Sequence, residues 1–589
     1  MHPTEPTRTH LPASREALWL SLLLAAGLLA RLAFVIAFPI QPVSDFRGLV
    51  DFGLFMRDHS VVTGGYFWRF FNPGLPLVLS LIFRIVPGSP ETAARLATAV
   101  ATGLVPALPF TLWRGVLPFR IRLLAGGALA LWPGQIVFSG VVAQDNWVLL
   151  PVVALAALAV RSLLAGRGHP AVAGLLYAAG VAIRQEMLIA LLPLLAAAAL
   201  GSWRTESRRR ALLAGLLAAG IPLLLLAFQR QAATGRFALT TDHGGLSLLG
   251  SYVPGATANA WADPLPYVAA VEPELLERPA ELKRQAVRLA LQAARARPAF
   301  HAARITAFTL DFAVRSEVYN LYWCLLVPEG LPPARALELA RRVPPVLQGE
   351  MTVLLALFLA SLLLTPRRWS QPIWPLVAAM ALKVGLHAVI TAQGRYFLPV
   401  TALQILVISL AAENAGRVSR RGVMAALAVG GIVAAGASWL APRAVGWVRA
   451  HDVDRPRVYR FPLSDLAADP KIFDCVVRRG RLVGLSETGA ALQTFHPDPP
   501  AGETAAVECV SRSSLPVPPL LLRLPAAGQR SERVTVDGRE VPVHDLALVP
   551  GSGGIEVPLG EPAPGKRKTF SIELATGETI SFQLVRAGR

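Results

Sequence analysis

The sequence predicts a polytopic α-helical membrane protein with a smaller β-rich part at its C-terminal end. The chain has 589 residues, of which 53% are hydrophobic and only 16% are charged. A spanning helix needs about 20 apolar residues, and apolar runs near that length recur between residues 17 and 440. Composition and recurrence together place the chain outside the range of soluble globular domains.

The apolar runs predict about eleven membrane-spanning helices by the length rule. Nine candidates lie at 17–40, 94–113, 121–138, 147–164, 211–228, 351–365, 373–389, 397–412 and 423–440. The run at 171–200 is too long for one helix and is interrupted by Arg184, Gln185 and Glu186. We therefore expect two short helices there, with the charged cluster at their shared turn.

The positive charges predict the orientation of these helices. The net charge is +19, and the arginines form short clusters between apolar runs, as cytoplasmic loops do. This distribution argues against nucleic-acid binding, which favours one basic face. The clusters fall on one side if 171–200 crosses twice and 73–86 forms an interfacial helix instead of crossing. The N-terminus is then cytoplasmic, and the first apolar run is expected to remain as a signal anchor, because it is too long for a cleavable signal.

Polar residues are expected to converge on the opposite, outer side. Two long outer loops are predicted at 41–91 and 229–347. The polar residues expected on this side include Asp45, Asp51, Asp145, Arg184, Arg395 and Tyr396. Ionisable groups gathered at helix ends are typical of a membrane-embedded active site. The arginine-rich stretch 279–297 is expected to lie on the membrane surface near anionic lipid.

The part after residue 442 differs from the preceding transmembrane domain, 1–442. Alternating runs at 533–536, 569–574 and 580–585 predict strands, and Gly and Pro turns separate them. We expect 443–589 to form a small β-rich extracytoplasmic domain. Cys475 and Cys509 would form a disulfide in an oxidising compartment or remain two free thiols.

The order of several motifs carries a family resemblance. After the first apolar run come Pro42-Val43-Ser44-Asp45-Phe46, Gly65-Tyr66-Phe67-Trp68 and Asn72-Pro73-Gly74, followed by Arg95-Leu96, Trp132-Pro133 and Arg395-Tyr396-Phe397-Leu398-Pro399. In this order the chain resembles the GT-C superfamily of membrane glycosyltransferases over about 17–440, in particular the family 39-like protein-mannosyltransferase and aminoarabinose-transferase branch. The aminoarabinose transferases carry Lys-Pro-Pro in the first outer loop, where Phe71-Asn72-Pro73 stands here. Lipid A modification is therefore the less expected activity.

The resemblance implies a GT-C fold and sugar transfer in the bacterial inner membrane, on its extracytoplasmic face. The donor would be a sugar linked to polyprenyl phosphate, and the acceptor a hydroxyl of a glycan, lipid or protein. No nucleotide sugar is needed there. The family contains metal-dependent and metal-independent members, so it leaves a divalent cation open; no metal site is assigned, because the ten histidines are scattered.

The chemistry of this transfer suggests roles for the acids. An attacking hydroxyl needs a base, and Asp45 is the first candidate because an acid follows the first helix in the family. Asp51 is the second candidate, and Asp145 resembles a second acidic position of some members. The alternatives are a solvated loop acid or helix N-cap for Asp45, and for Asp145 a cap of the helix that starts at Trp147.

The basic residues are candidates for the leaving phosphate. Arginine offers a bidentate fork to phosphate, so Arg395 and Arg184 are expected to bind it, with Tyr396 as a hydrogen-bond donor. The alternatives are snorkelling of Arg395 to the interface and simple pairing of Arg184 with Glu186.

Two alternative functions, a transporter and a scaffold, make different predictions for the sequence. A lipid flippase or transporter predicts polar residues at the bilayer midplane and two related halves, and neither is clear in the sequence. A catalytically degenerate scaffold would instead bind a glycan or a partner through its C-terminal domain.

Overall fold

The fold is described from a computed structural model. It covers residues 12–451 except 41, 43–44, 60–64, 167, 202–207, 242–243, 254–263, 265–267, 269–270, 276–278, 327–332, 366–371, 391–393 and 417. Beyond residue 451 it describes the backbone of ten strands.

The chain is mostly helical up to residue 451. The helices are α1 (Ala13–Ala37), α2 (Asp45–Asp58), α3 (Gly65–Phe70), α4 (Gly74–Ile85), α5 (Pro90–Leu104), α6 (Ala107–Leu112), α7 (Phe119–Leu131), α8 (Pro133–Phe138), α9 (Gln144–Trp147), α10 (Leu149–Ala165), α11 (Pro170–Ile183), α12 (Met187–Ala190), α13 (Leu192–Gly201), α14 (Arg208–Thr234), α15 (Gly244–Tyr252), α16 (Pro279–Ala296), α17 (Pro298–Leu326), α18 (Pro333–Leu364), α19 (Ile373–Val389), α20 (Leu398–Ala415) and α21 (Arg420–His451). Short 3₁₀ helices lie at Pro273–Leu275 and Gly394–Phe397.

Seven helical segments within the described residues are long and apolar enough to cross a bilayer. They are Ala13–Ala37, Pro90–Leu112, Gln144–Ala165, Leu212–Thr234, Arg342–Leu364, Gly394–Ala415 and Arg420–Val448. Four shorter apolar helices accompany them, at Gly74–Ile85, Pro170–Ile183, Met187–Leu200 and Ile373–Val389. The chain is thus a helical membrane protein, and the count of eleven crossings stays a prediction.

The predicted span at 121–138 is not one helix. α7 ends at Leu131 and α8 begins at Pro133. Trp132 between them has an extended backbone, with φ −66° and ψ 113°, because a residue before proline is forced out of the helical region. The Trp132 indole N–H donates a hydrogen bond to the Glu317 carboxylate, so the break is fastened to α17.

The predicted outer loop 229–347 is also largely helical. α17 packs against α18 and α21, and buries the charged side chains of Arg304, Asp311 and Glu317. These charges lowered the apparent hydropathy of the segment, which is why the sequence favoured a loop. By contrast, the two short helices expected within 171–200 are present, with Arg184, Gln185 and Glu186 between them.

A buried charge in the first helix has backbone partners. Arg31 is fully buried, and its guanidinium donates to the carbonyl oxygens of Ala130 at 2.9 Å and Leu129 at 3.0 Å. These carbonyls belong to the last turn of α7, where helical partners are missing. Arg31 therefore joins α1 to the end of α7, and it satisfies oxygens that the break at Trp132 leaves open.

The strands after residue 451 form two five-stranded sheets. They are β1 (Phe473–Arg479), β2 (Arg481–Ser486), β3 (Leu492–His496), β4 (Ala505–Ser511), β5 (Leu520–Pro525), β6 (Ser531–Val536), β7 (Arg539–Val541), β8 (Gly554–Pro558), β9 (Thr569–Leu574) and β10 (Ile580–Arg586). The orders are β1-β4-β9-β6-β7 and β2-β3-β10-β5-β8, with antiparallel pairing. The register places Cys475 opposite Cys509. A separate extracytoplasmic domain and a disulfide there stay predictions.

Candidate active site

A polar cavity of about 580 Å³ lies where α2, α9, the end of α11 and the 3₁₀ turn before α20 meet. It is lined by Asp45, Phe46, Arg47, Gly48, Leu49, Asp51, Phe67, Phe70, Phe71, Gln144, Asp145, Arg184 and Arg395. Five of the six residues singled out in the sequence are in this lining. Aromatic rings and charged groups thus line the same cavity, a combination that suits a ligand with an apolar part and a charged part.

Asp45 lies at the rim of the cavity, in contact with Arg395. Its carboxylate Oδ2 is 3.3 Å from Nη2 of Arg395, although the two residues are 350 positions apart. The Asp45 side chain is 65% exposed, whereas that of Arg395 is 6% exposed. Asp45 opens α2, where the helix dipole favours a negative charge. The exposed carboxylate of Asp45 therefore faces the buried guanidinium group of Arg395.

Asp145 lies deeper, between two arginines. Its Oδ2 is 3.4 Å from Arg184 and 4.0 Å from Arg395. The other oxygen, Oδ1, is buried and has no hydrogen-bond partner among the described residues. A buried polar atom of this kind is uncommon in native proteins. α10 begins after Val148 and has no side-chain cap hydrogen bond, so the helix-cap alternative does not account for the contacts of Asp145.

Behind Arg184, further side chains of alternating charge lie in the protein interior. Glu186 accepts from Arg184 at 2.7 Å and from Lys383 at 2.7 Å, and Nε2 of His387 is 3.6 Å away. Burial alone would raise the pKa of Glu186, but Arg184 and Lys383 more than offset this and hold it well below its usual range. Burial likewise opposes the charge of Arg184, yet Asp145 and Glu186 raise its pKa above the usual value.

Tyr396 lies behind the cavity wall. Its ring stacks on His387 with centroids 4.3 Å apart, and the Arg184 guanidinium lies 4.6 Å from the ring centre. Its hydroxyl is 3.5 Å from Nη2 of Arg395. Tyr396 therefore contacts both cavity arginines and orients them, while the expected donation to a phosphate stays a prediction.

Asp51 has a different environment from Asp45. It pairs with Arg47 at 2.9 Å, one helical turn earlier, and Arg47 also binds Glu91 at 2.9 Å. These contacts are exposed and are therefore weak. The structure brings Asp51 into the cavity lining but next to a cation of its own helix.

Two close approaches position the arginines. A side chain at Gly394 would meet the Ser316 carbonyl of α17 at 2.3 Å, so glycine is needed next to Arg395. Gly74, at the start of α4, lies against the backbone of Ala182 and Ile183, where a Cβ would come within 2.7 Å. The end of α11 is thereby held immediately before Arg184.

The described residues do not by themselves form a complete site for a divalent cation. Such ions prefer several oxygen ligands, and no group of three metal-binding side chains occurs in this part of the chain. The three cavity carboxylates, Asp45, Asp51 and Asp145, each face a guanidinium group.

Lys383 and His387 were not identified from the sequence as site residues. They lie four positions apart on one face of α19. An ionisable residue inside an apolar run is itself a signal of function, and this signal was present. What the sequence does not show is that their partner is Glu186, 197 residues earlier.

The fold and the cavity define an integral membrane protein with an ionic site at the ends of its helices. No protein-family model matches the chain, and no curated protein sequence is significantly similar to it.

Proposed function

We propose that this protein is a GT-C-type glycosyltransferase that moves a sugar from a polyprenyl-phosphate donor to an acceptor hydroxyl. One observation carries the proposal: an exposed carboxylate, Asp45, and two arginines, Arg184 and Arg395, line one cavity beside aromatic rings. A base, a phosphate site and an apolar wall are the parts that this transfer requires.

In the proposed reaction, the acceptor oxygen attacks C1 of the sugar and the bond from C1 to the phosphate oxygen breaks. The electron pair leaves with the phosphate, and the transition state resembles an oxocarbenium ion. Asp45 takes the hydroxyl proton, and Arg395 with Arg184 stabilises the phosphate. Because phosphate is a good leaving group, no second acid needs to protonate it.

The contact between Asp45 and Arg395 gives the reaction an order. Arg395 neutralises Asp45 through a single interaction at 3.3 Å, longer than an optimal charge-assisted bond. A donor phosphate competes for the same guanidinium, and its binding leaves Asp45 free to accept a proton.

The proposed setting is the bacterial inner membrane, with about eleven crossings and the cavity on the extracytoplasmic side. The region 443–589 would lie on that side as a β-rich domain. Facing residues of antiparallel strands have Cα atoms about 4.5–5.5 Å apart, within the range that a disulfide spans. We therefore expect non-reducing peptide mapping of the native protein to find Cys475 linked to Cys509; two free thiols would count against an extracytoplasmic location.

The activity is tested with purified protein in lipid nanodiscs and a panel of polyprenyl-phosphate-linked hexoses and pentoses. We expect mass spectrometry to detect release of polyprenyl phosphate and a glycosylated acceptor from an extract of the cell envelope. Envelope glycans and glycolipids from cells with and without the protein identify the natural product. Movement of labelled lipid across vesicles, without consumption of any donor, would instead establish a flippase.

A further inference from the structure

α16 carries a second apolar strip that the rest of the described protein does not cover. Its main apolar face packs against α15 and neighbouring residues in a separate small core, which includes Leu282, Ala286, Leu289, Ala290 and Ala293. Val287 and Leu291, one helical turn apart, remain 47% and 50% exposed. Residues four apart lie on the same side of a helix, so the two form one continuous exposed strip.

Basic side chains flank this strip. The helix has four basic residues and one acidic residue, Glu281. Arg284 and Arg295 are exposed and form no ion pair with any acid in the described part of the chain. Arg288 differs, because it binds Glu272 at 2.6 Å. Thus an apolar strip and two arginines that pair with no acid among the described residues face outwards together.

The position of α16 relative to the lipid-facing surface follows from α14. Exposed apolar side chains follow one side of that helix, at Leu213, Leu216, Leu217, Ile221, Leu224, Leu225 and Phe228. This stripe covers about 22 Å at 1.5 Å per residue, most of a hydrocarbon core of about 30 Å. It ends at Phe228, whose ring contacts that of exposed Phe237.

A chain of contacts connects the end of this stripe to α16. Arg230, just past Phe228, donates to the Asn72 side chain at 3.2 Å. Phe70, two residues before Asn72, lines the cavity. The ammonium group of Lys283 lies 5.7 Å from the centre of the Phe70 ring. Through Phe70 in the cavity lining, these contacts connect the start of α16 to the end of the apolar stripe on α14.

We propose that α16 lies on the bilayer surface and binds anionic phospholipid headgroups through Arg284 and Arg295, with Val287 and Leu291 inserted between the lipids. An amphipathic helix with a basic flank binds anionic membranes in this way. The contact holds the cavity mouth, at Phe70, at headgroup level. If the proposed function is right, a lipid-linked donor then presents its phosphate to the cavity laterally.

The test uses hydrogen–deuterium exchange of the full-length protein in two kinds of nanodisc. One contains phosphatidylcholine alone and the other an equal mixture with phosphatidylglycerol. No sugar donor is present, so the result is independent of the proposed transferase activity. We expect backbone amides of α16 to exchange at least about fivefold more slowly in the anionic discs, since each basic residue near such a surface contributes about a factor of five. Salt at about 0.5 M should remove the difference, because the contacts are exposed.

Two double variants sharpen this measurement. The change Arg284→Gln with Arg295→Gln should reduce the lipid-dependent difference below about twofold. The control, Arg420→Gln with Arg421→Gln, removes the same charge from exposed arginines at the start of α21 and should keep the wild-type difference. Equal exchange of wild-type α16 in both lipids overturns the proposal. So does a difference that survives Arg284→Gln with Arg295→Gln, or protection that follows protein concentration instead of lipid charge, which would indicate a second copy as the partner.

Discussion

The two walls of the cavity differ in how firmly their charges are held. On the α2 wall, the side chains of Asp45, Arg47 and Asp51 are 65%, 48% and 40% exposed. On the other wall, those of Asp145, Arg395 and Arg184 are 1%, 6% and 12% exposed. Exposed charges exchange partners at little cost, whereas separating a buried pair is expensive. In the proposed reaction, the α2 wall would therefore supply the group that changes its charge, Asp45, and the buried wall would position the substrate.

Replacement of Asp45 by Asn should have the largest effect on activity. Loss of a general base lowers the rate by about 10²–10⁴-fold, while the melting temperature should hardly change, because the side chain is exposed. Initial rates of donor consumption in nanodiscs measure the first effect, and thermal unfolding the second.

Asp51→Asn is the matched control on the same helix. Its carboxylate is already paired with Arg47, so we expect transfer within about twofold of wild type. A severe defect in Asp51→Asn combined with an active Asp45→Asn protein would move the base to Asp51 and reverse the assignment.

The sequence predicted the residues that line the cavity better than the charged network behind them. Asp45 and Arg395 were expected to share a cavity because both follow apolar helices that end on one side, and they are in contact. The network of Glu186, Lys383 and His387 was missed, because pairing between α19 and the end of α11 depends on tertiary packing. A helical period identifies which face a residue is on, but not which helix it meets.

The helices were likewise predicted well where the local sequence decides and poorly where tertiary contacts decide. Apolar runs with proline or charge at their ends predicted most of the long helices, and the turn at Arg184. α17 was missed because its buried Arg304, Asp311 and Glu317 make it less hydrophobic than a spanning helix. Such charges are tolerated only where the fold supplies partners, for example the Trp132 indole for Glu317. A hydropathy window does not contain that information.

Glu186→Gln tests the buried charge network behind the buried wall and should reduce stability. The change leaves Arg184 and Lys383 without the carboxylate that both contact, and breaking a buried ion pair costs about 3–5 kcal/mol. The folded pKa of Glu186 lies well below the ordinary value of 4.5. The stability that the Glu186 carboxylate contributes is therefore fully present above its pKa in the unfolded state. This stability is lost as the pH falls through the lower pKa of the folded state.

The corresponding measurement is thermal unfolding of wild type and Glu186→Gln in nanodiscs between pH 7 and pH 3. We expect the melting temperature of wild type to exceed that of Glu186→Gln by a constant amount from pH 7 to about pH 5. The two melting temperatures should converge at acidic pH. Asp51→Asn, which removes a carboxylate from an exposed pair, should differ from wild type by less than about 1 kcal/mol. Equal melting temperatures of wild type and Glu186→Gln at pH 7 would show that the buried network does not stabilise the protein.

The smallest effect is expected from Gly74→Ala, which tests how the buried wall is positioned. A methyl group would lie 2.7 Å from the Ala182 carbonyl, and since backbone cannot rotate away, α4 and the end of α11 must separate. We expect a loss of about 1–3 kcal/mol, typical of overpacking, and weaker donor binding, because Arg184 follows that backbone directly. Gly127→Ala is the control, since no atom lies within 4 Å of its Cβ position, and its α-helical site should tolerate alanine or gain up to about 1 kcal/mol. Donor affinity measured in both variants separates the two outcomes: equal affinity would mean that contact between α4 and α11 does not position Arg184.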